Sequence, residues 1–363
     1  MITPDPILGT ALHAVGAISA SACYTPQKKV RNWSWQTYWL TQALFCWFLL
    51  PILGALWTIP NLGVVLMESP KEAMLTSFLL GMAYGIGGTA FNVSIRYIGF
   101  SLTYAIAVGL SSILGTFVPP LVKGTLMVSF SKNGSGWVLM GVGIGALGII
   151  LCGVAGRQKE SSLAQGSKEK TEFSLSKGLF LSLLAGVLSA VYGFALEAGE
   201  PIAKIAEQHG ADVYRGNVVY LFANTGAFLT TLIYCMYLHA RHKTLGELIE
   251  LPAGPEKASL PVNFLMAALT GCLWYGQFFF YNLAHVRMGE YQFTSWAIHM
   301  IMLVLFSNVI GLLLLEWKGC QRRTQACIGV AMVVLISAIL SLGYGNYLGD
   351  KPDQPQQQNL EKK

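Results

Sequence analysis

The stretch LWYGQFFFYNLAHVRMGEYQFTSWAIHM, residues 273 to 300, sets Gln277, Asn282, His285, Arg287, Gln292, Ser295 and His299 among apolar and aromatic neighbours. Imidazole titrates near neutrality and can carry protons. Amides donate and accept hydrogen bonds, and hydroxyls do the same. Trp274, Gln277, Tyr281 and His285 follow at i, i+3, i+7 and i+11, which places them on one stripe of a helix. Gln292, Ser295, Trp296 and His299 repeat the arrangement farther along. Earlier apolar runs add His13, Tyr84, Asn92, Arg96 and Glu197. Amides, hydroxyls and rings suit a neutral polyol, with rings packing on its C–H face. A phosphate or carboxylate ligand would instead require converging Arg or Lys, and Lys28, Lys29 and Arg96 lie near the ends of apolar runs. The candidate ligand-binding set is therefore His13, Tyr84, Asn92, Trp274, Gln277, Tyr281, Asn282, Ser295, Trp296 and His299. Glu197, His285, His299 and His13 are the candidates for proton transfer. The plainer readings are packing for each histidine and for Phe278 to Phe280, and a helix-end cap or snorkel for Glu197.

These side chains need elements to hold them, and composition says which kind. Of the 363 residues 53% are hydrophobic and only 12% charged, with a mean hydropathy of +0.52, against roughly 25% charged in soluble chains. About ten apolar runs reach the ~20 residues that a helix needs to cross a bilayer. They fall near 4 to 24, 36 to 60, 72 to 96, 101 to 124, 136 to 156, 174 to 197, 215 to 239, 261 to 287, 291 to 316 and 323 to 346. Barrel strands alternate apolar and polar residues, and these runs do not. A polar side chain at bilayer depth costs about 2.5 to 3.5 kcal/mol even on lenient scales, so it faces a cavity or another helix. The candidate residues come from the first, third, sixth, eighth and ninth runs.

The polar stretch GRQKESSLAQGSKEKTE, residues 156 to 172, divides the runs five and five. An odd number per half puts related halves in opposite orientation. Gly16, Ser19 and Ala20 recur as Gly186, Ser189 and Ala190, and Gly81, Asn92 and Gly99 recur at equal spacing as Gly271, Asn282 and Gly289. The expected organisation is a first half 1–156, a cytoplasmic loop 157–173, a second half 174–347 and a disordered tail 348–363. Most of the 24 Lys and Arg residues lie in the loops after odd-numbered runs. The positive-inside rule then places those loops in the cytoplasm and both termini outside. The first run lacks a basic n-region and a cleavage site, so it is read as a retained span. The seven cysteines are scattered, with no C-x-x-C and no metal-ligand spacing; no metal or cofactor is expected. The basic residues form no patch interleaved with aromatics, so nucleic acid is not a partner; lipid is.

HAVGAISASACYTPQKKVRNWSWQTYW, residues 13 to 39, together with LWYGQFFFYNLAHVR and YQFTSWAIHM, resembles the bacterial L-rhamnose-proton symporter family of the drug/metabolite transporter superfamily. IRYIGFS at 95 to 101 and GLLLLEW at 311 to 317 extend the likeness along nearly the whole chain. The resemblance covers His13, Lys28, Lys29, Trp33, Trp35 and Arg96 in the first half. In the second half it covers Trp274, Gln277, Tyr281, His285, Arg287, Ser295, Trp296 and His299. It implies an all-α integral membrane fold of ten transmembrane helices in an inverted 5+5 repeat of drug/metabolite transporter type. It also implies multi-pass insertion in the bacterial inner membrane and secondary active transport, the symport of L-rhamnose with protons by alternating access. The chain departs from the family pattern at Glu197, usually an amide there, and at GIGG, residues 85 to 88, which lacks a polar residue. Those departures leave open another 6-deoxysugar or a pentose.

Two other classes stand beside this reading. One is a facilitator or exporter of the same fold for another sugar or small metabolite, since fold does not fix substrate. The other is an intramembrane enzyme with histidine as a base. The sequence has no G-x-S-x-G elbow, no H-E-x-x-H and no paired aspartates, and no Asp falls within a span away from its edge; it is not read as an enzyme.

Overall fold

A computed structural model describes residues 4–164, 174–252 and 258–349. The tail from 350 onward and residues 165–173 of the polar loop lie outside the described residues. Among the described residues every regular element is helical. Ten helices are long and apolar enough to cross a membrane: α1 Pro6–Gln27, α2 Trp35–Thr58, α3 Lys71–Ile95, α4 Leu102–Val122, α5 Ser135–Lys159, α6 Leu175–Gln208, α7 Asp212–His242, α8 Leu260–His285, α9 Gln292–Leu313 and α10 Arg322–Gly349. Large apolar side chains such as Trp57, Phe180, Leu265 and Leu340 stand outward, as lipid-facing positions do.

Local signals explain several boundaries. The Asp5 carboxylate accepts the Leu8 amide at 2.9 Å ahead of Pro6, capping α1. The long third helix ends at Gly99, whose φ of 81° is closed to most side chains. α2 carries a π-helical turn at Leu44–Leu49 just before Pro51, where the proline cannot donate to the preceding turn. The sixth span runs beyond the expected 197. After Gly199 the chain continues as Glu200–Gln208, burying Ile202, Ala203 and Ala206 while Lys204 faces outward.

Most of the close helix pairs join a span from residues 1–156 to one from 174–347. α3 lies on α6 and α7, α8 lies on α1 and α2, and α5 lies on α10. α4 packs on α6, α5 and α9, and α9 on α1, α4 and α10. Small residues allow the backbones to close up. A Cβ on Gly81 would strike the Ala223 backbone, and one on Gly271 would come within 2.8 Å of the Gln42 carbonyl. One apolar core joins α9 to α5 and α10 through Ile298, Ile301, Ile149 and Leu335. A second, aromatic core gathers Trp39, Trp47, Tyr192, Tyr220, Phe278 and Trp296, and a cavity sits against it.

Candidate functional site

The cavity leaves about 120 Å³ open to water centres between α1, α3, α4, α6, α8 and α9. About 10–15 Å³ of such space is enough for a water, so the cavity takes several waters, or the solute that displaces them. Its polar lining is Tyr24, Tyr84, Asn92, Tyr104, Ser189 and Gln277, with the indole of Trp274 and the ring of Phe91. None of its described lining residues is Asp, Glu, Lys, Arg or His. Asn92 Nδ2 donates to the Gly88 carbonyl at 3.0 Å, which turns its Oδ1 away from the helix backbone. The Trp274 N–H makes no close hydrogen bond, the Tyr84 hydroxyl standing beside it; its ring meets Trp39, Trp47 and Tyr24 at 5.6, 5.7 and 5.8 Å. Tyr84 packs on Tyr192 at 4.5 Å. Tyr104 bonds to Ser307 at 3.3 Å and separates this cavity from a smaller one that reaches Lys159 and Glu316.

Of the ten candidate ligand residues, the structure brings Tyr84, Asn92, Trp274 and Gln277 to the cavity. The α8 stripe divides: Tyr281 and His285 lie one to two turns beyond it, with His13 and His299. His13 is fully buried and His299 nearly so. The Tyr281 ring sits 5.3 Å from His13, 5.5 Å from His299 and 5.7 Å from His285, centre to centre. Trp296 donates to both Ser111 oxygens at 3.1 Å and lies against Gly115. Ser295 opens the regular part of α9, buried and without a partner for its hydroxyl. Asn282 is turned to the first turn of α7, where it donates to the Val213 carbonyl at 3.1 Å. His13, Tyr281, Asn282, Ser295, Trp296 and His299 are not among the cavity's lining residues.

Glu197 sits two residues before Gly199, where the regular first stretch of α6 stops, its side chain 29% exposed, in an ion pair with Lys123 at the end of α4. It is not among the lining residues. The side chain of Arg96 lies outside the described residues. Trp33 donates to the Glu247 carbonyl at 2.9 Å and, with Lys28, belongs to the face where α1 ends. Sequence reasoning missed Tyr24, Tyr104 and Ser189. Ser189 had a signal, its match to Ser19 across the halves; a lone Tyr in an apolar run has none that separates lining from packing.

A bundle of apolar helices enclosing an uncharged cavity, with rings on one side and amides and hydroxyls on the other, defines a multi-span membrane carrier for a small solute. Residues 3–346 match the family described as L-rhamnose-proton symport protein (RhaT). The L-rhamnose-proton symporter of Mannheimia succiniciproducens is 34% identical over 351 residues, which cover 94% of this chain and 98% of that one. Those of Cronobacter sakazakii and Shigella dysenteriae are 35% and 34% identical over 340 residues, covering 93% of this chain and 97% of each relative. The chain belongs to the L-rhamnose-proton symport protein family.

Proposed function

We propose that this chain carries L-rhamnose, or a closely related 6-deoxysugar, together with protons across the bacterial inner membrane. The observation that carries the reading is the lining itself. Rings at Tyr84, Phe91 and Trp274 offer apolar faces to C–H bonds and a methyl group, while Asn92, Ser189 and Gln277 offer donors and acceptors to hydroxyls, with no charge to select an ionic solute. Family membership supports the same solute and the proton coupling.

Alternating access follows from an inverted repeat of drug/metabolite transporter type between residues 1–156 and 174–347. Several features support it. Positions 190 apart behave alike: Gly81 and Gly271 each admit a facing backbone, Tyr84 and Trp274 both line the cavity, and Gly99 and Gly289 both take positive φ, 81° and 58°. Helix neighbours also map onto one another, since α3 on α6 corresponds to α8 on α1, and α4 on α6 to α9 on α1. The Lys and Arg bias assigns the 157–173 loop to the cytoplasm and both termini to the periplasm. Tyr24, Asn92 and Tyr104 then fall in the cytoplasmic turns of α1, α3 and α4, so this is the inward-facing arrangement. Tyr192, Tyr220, Phe278 and Trp296 close the periplasmic side. The two-state element is the packing of one half on the other.

The test is uptake of labelled L-rhamnose into proteoliposomes with an imposed inward proton gradient, repeated with a protonophore and with fucose, xylose and glucose as competitors. Accumulation that the protonophore abolishes is the expected result. Equilibration without accumulation would make the chain a facilitator. No L-rhamnose movement in folded protein would leave the family and remove the substrate.

A further inference from the structure

His13 precedes Ala20, where α1 first meets the cavity, by seven positions, about 10 Å along a helix. Neither of its ring nitrogens has a hydrogen-bond partner. The same holds for Nδ1 of His285 and Nδ1 of His299. Buried polar atoms are nearly always paired, and exceptions call for an explanation. Here three imidazoles on three sides of Tyr281 are exceptions together. Packing does not explain them, because an apolar side chain would fill the space without stranding nitrogens. Metal binding does not either: among the described residues no three of His, Cys, Asp and Glu converge as ligands. What remains is a set of basic lone pairs beyond the closed end of the cavity.

One link joins the set to the solute. His299 Nε2 lies 3.5 Å from Gln277 Oε1, and Gln277 lines the cavity. When both nitrogens of His299 carry protons, Nε2 can only donate. The Gln277 carbonyl then turns to accept, and its NH₂ is presented to the cavity. With Nε2 bare it can only accept, so it takes the Gln277 NH₂ instead and leaves the carbonyl to the cavity.

We infer that the His13, His285 and His299 cluster around Tyr281 holds the proton that moves with the sugar, and that Gln277 transmits its presence to the sugar-binding cavity. This rests on the symport reading above. The proton comes from hydronium on the periplasmic side: one O–H bond of hydronium breaks, the proton adds to an imidazole lone pair, and neutral water is left. The surroundings limit the cluster to one proton. The charges that reach His13 are those of His299 and His285, and those that reach His285 are Arg215 and Lys123. Arg215 is held by Glu200 and Glu207, and Lys123 by Glu197. α8 contributes Tyr281 and, past its end, Arg287, which donates to the Leu283 carbonyl; Tyr220 of α7 donates to the Phe278 carbonyl. Asp5 caps α1, and α10 carries no Asp, Glu, Lys, Arg or His beyond Arg323 among its described residues. A charge with no carboxylate beside it is costly in a buried site. Water and sugar hydroxyls in the adjoining cavity lower that cost, and by reciprocity the proton improves sugar binding.

The experiment uses the full chain in detergent and in proteoliposomes, with L-rhamnose as the probe. Binding is followed by tryptophan fluorescence across pH, and proton uptake on binding by a dye in weak buffer. Wild-type protein takes up a proton as L-rhamnose binds. The double variant His13→Gln, His299→Gln loses that uptake and the pH dependence of binding, and loses uphill accumulation while still exchanging labelled for unlabelled sugar. Should it not fold, Gln277→Met, which keeps all three imidazoles, must bind L-rhamnose more weakly and without pH dependence. Retained proton uptake in the folded double variant overturns the proposal. So does a Glu197→Gln protein that alone loses accumulation. Wild-type protein that neither binds nor exchanges L-rhamnose instead overturns the substrate reading, and this proposal with it.

Discussion

Trp274 gives the most direct measure of the cavity. Its ring faces the open space and its N–H makes no close hydrogen bond, so a sugar hydroxyl that accepts from it satisfies a buried donor. One such bond contributes about 0.5–1.5 kcal/mol net, or about 2- to 12-fold in affinity at ~1.4 kcal/mol per tenfold. Trp274→Phe removes the N–H and keeps an aromatic face, so it should weaken L-rhamnose binding by that factor. Trp274→Ala also removes the ring, for a further ~0.5–1.5 kcal/mol of stacking. Trp39→Phe is the control. Trp39 stacks on Trp35 at 5.6 Å and touches Trp274, but does not line the cavity. Calorimetric titration and half-saturation of counterflow read the effect in two ways. Wild-type affinity in Trp274→Phe, or equal weakening in Trp39→Phe, would refute the assignment of the indole to the ligand.

Two further outcomes test the site's limits. Asn282→Ala strands the Val213 carbonyl that the amide serves at 3.1 Å, which costs about 1–3 kcal/mol; thermal unfolding should move down while sugar affinity stays, and the reverse pattern would return Asn282 to the cavity. At the other face Glu316 pairs with Lys28 and, at 3.4 Å, with Lys159. Burial pushes its carboxyl up, but the hydrogen bonds and charges of the two lysines outweigh burial and hold it below its ordinary 4.5. Stability from this group is therefore present above pH 4.5 and lost as pH falls through the lower folded value. With the Glu316 side chain 37% and that of Lys28 55% exposed, each pair contributes at most about 1 kcal/mol. Unfolding of Glu316→Gln and wild type should differ near neutrality and converge on acidification; a difference constant with pH would show that charge is not the cause.

The spans were legible because lipid leaves a helix little choice: each must be apolar for about 20 residues, and the boundaries fall within a few residues of the hydropathy. α6 escaped at Glu200–Gln208, since an amphipathic helix that buries only Ile202, Ala203 and Ala206 reads as polar. The α8 stripe was legible as a stripe but not as two sites. Trp274 to His285 spans about 16 Å of helix, of which only Trp274 and Gln277 reach the cavity, so one face serves the cavity at Gln277 and the imidazole cluster at Tyr281. Asn282 looked like part of the same set because an amide carries no mark of whether it meets solute or a loop carbonyl. Tyr24 and Tyr104 were hidden for the converse reason: in sequence, a ring that lines a space is the same as one that fills it.

Among the described ion pairs, charge is kept to the two faces, and that bears on the proposed movement of the halves. Lys28 with Glu316 joins them at the face where α1 ends; Lys123 with Glu197 and Glu68 with His209 join them at the other. All three contacts are part exposed, and exposed pairs are worth ~0–1 kcal/mol each, so neither face locks the transporter. The middle is different. There the backbones meet at Gly81 and Gly271 with no room for a methyl group, and those crossings are too close-packed to slide. In the proposed cycle the helices therefore rock as rigid pairs about the glycine contacts. The ion pairs break and re-form at the rims, and the cost that decides the direction is the one at the centre: whether the imidazole cluster holds its proton when the sugar is present.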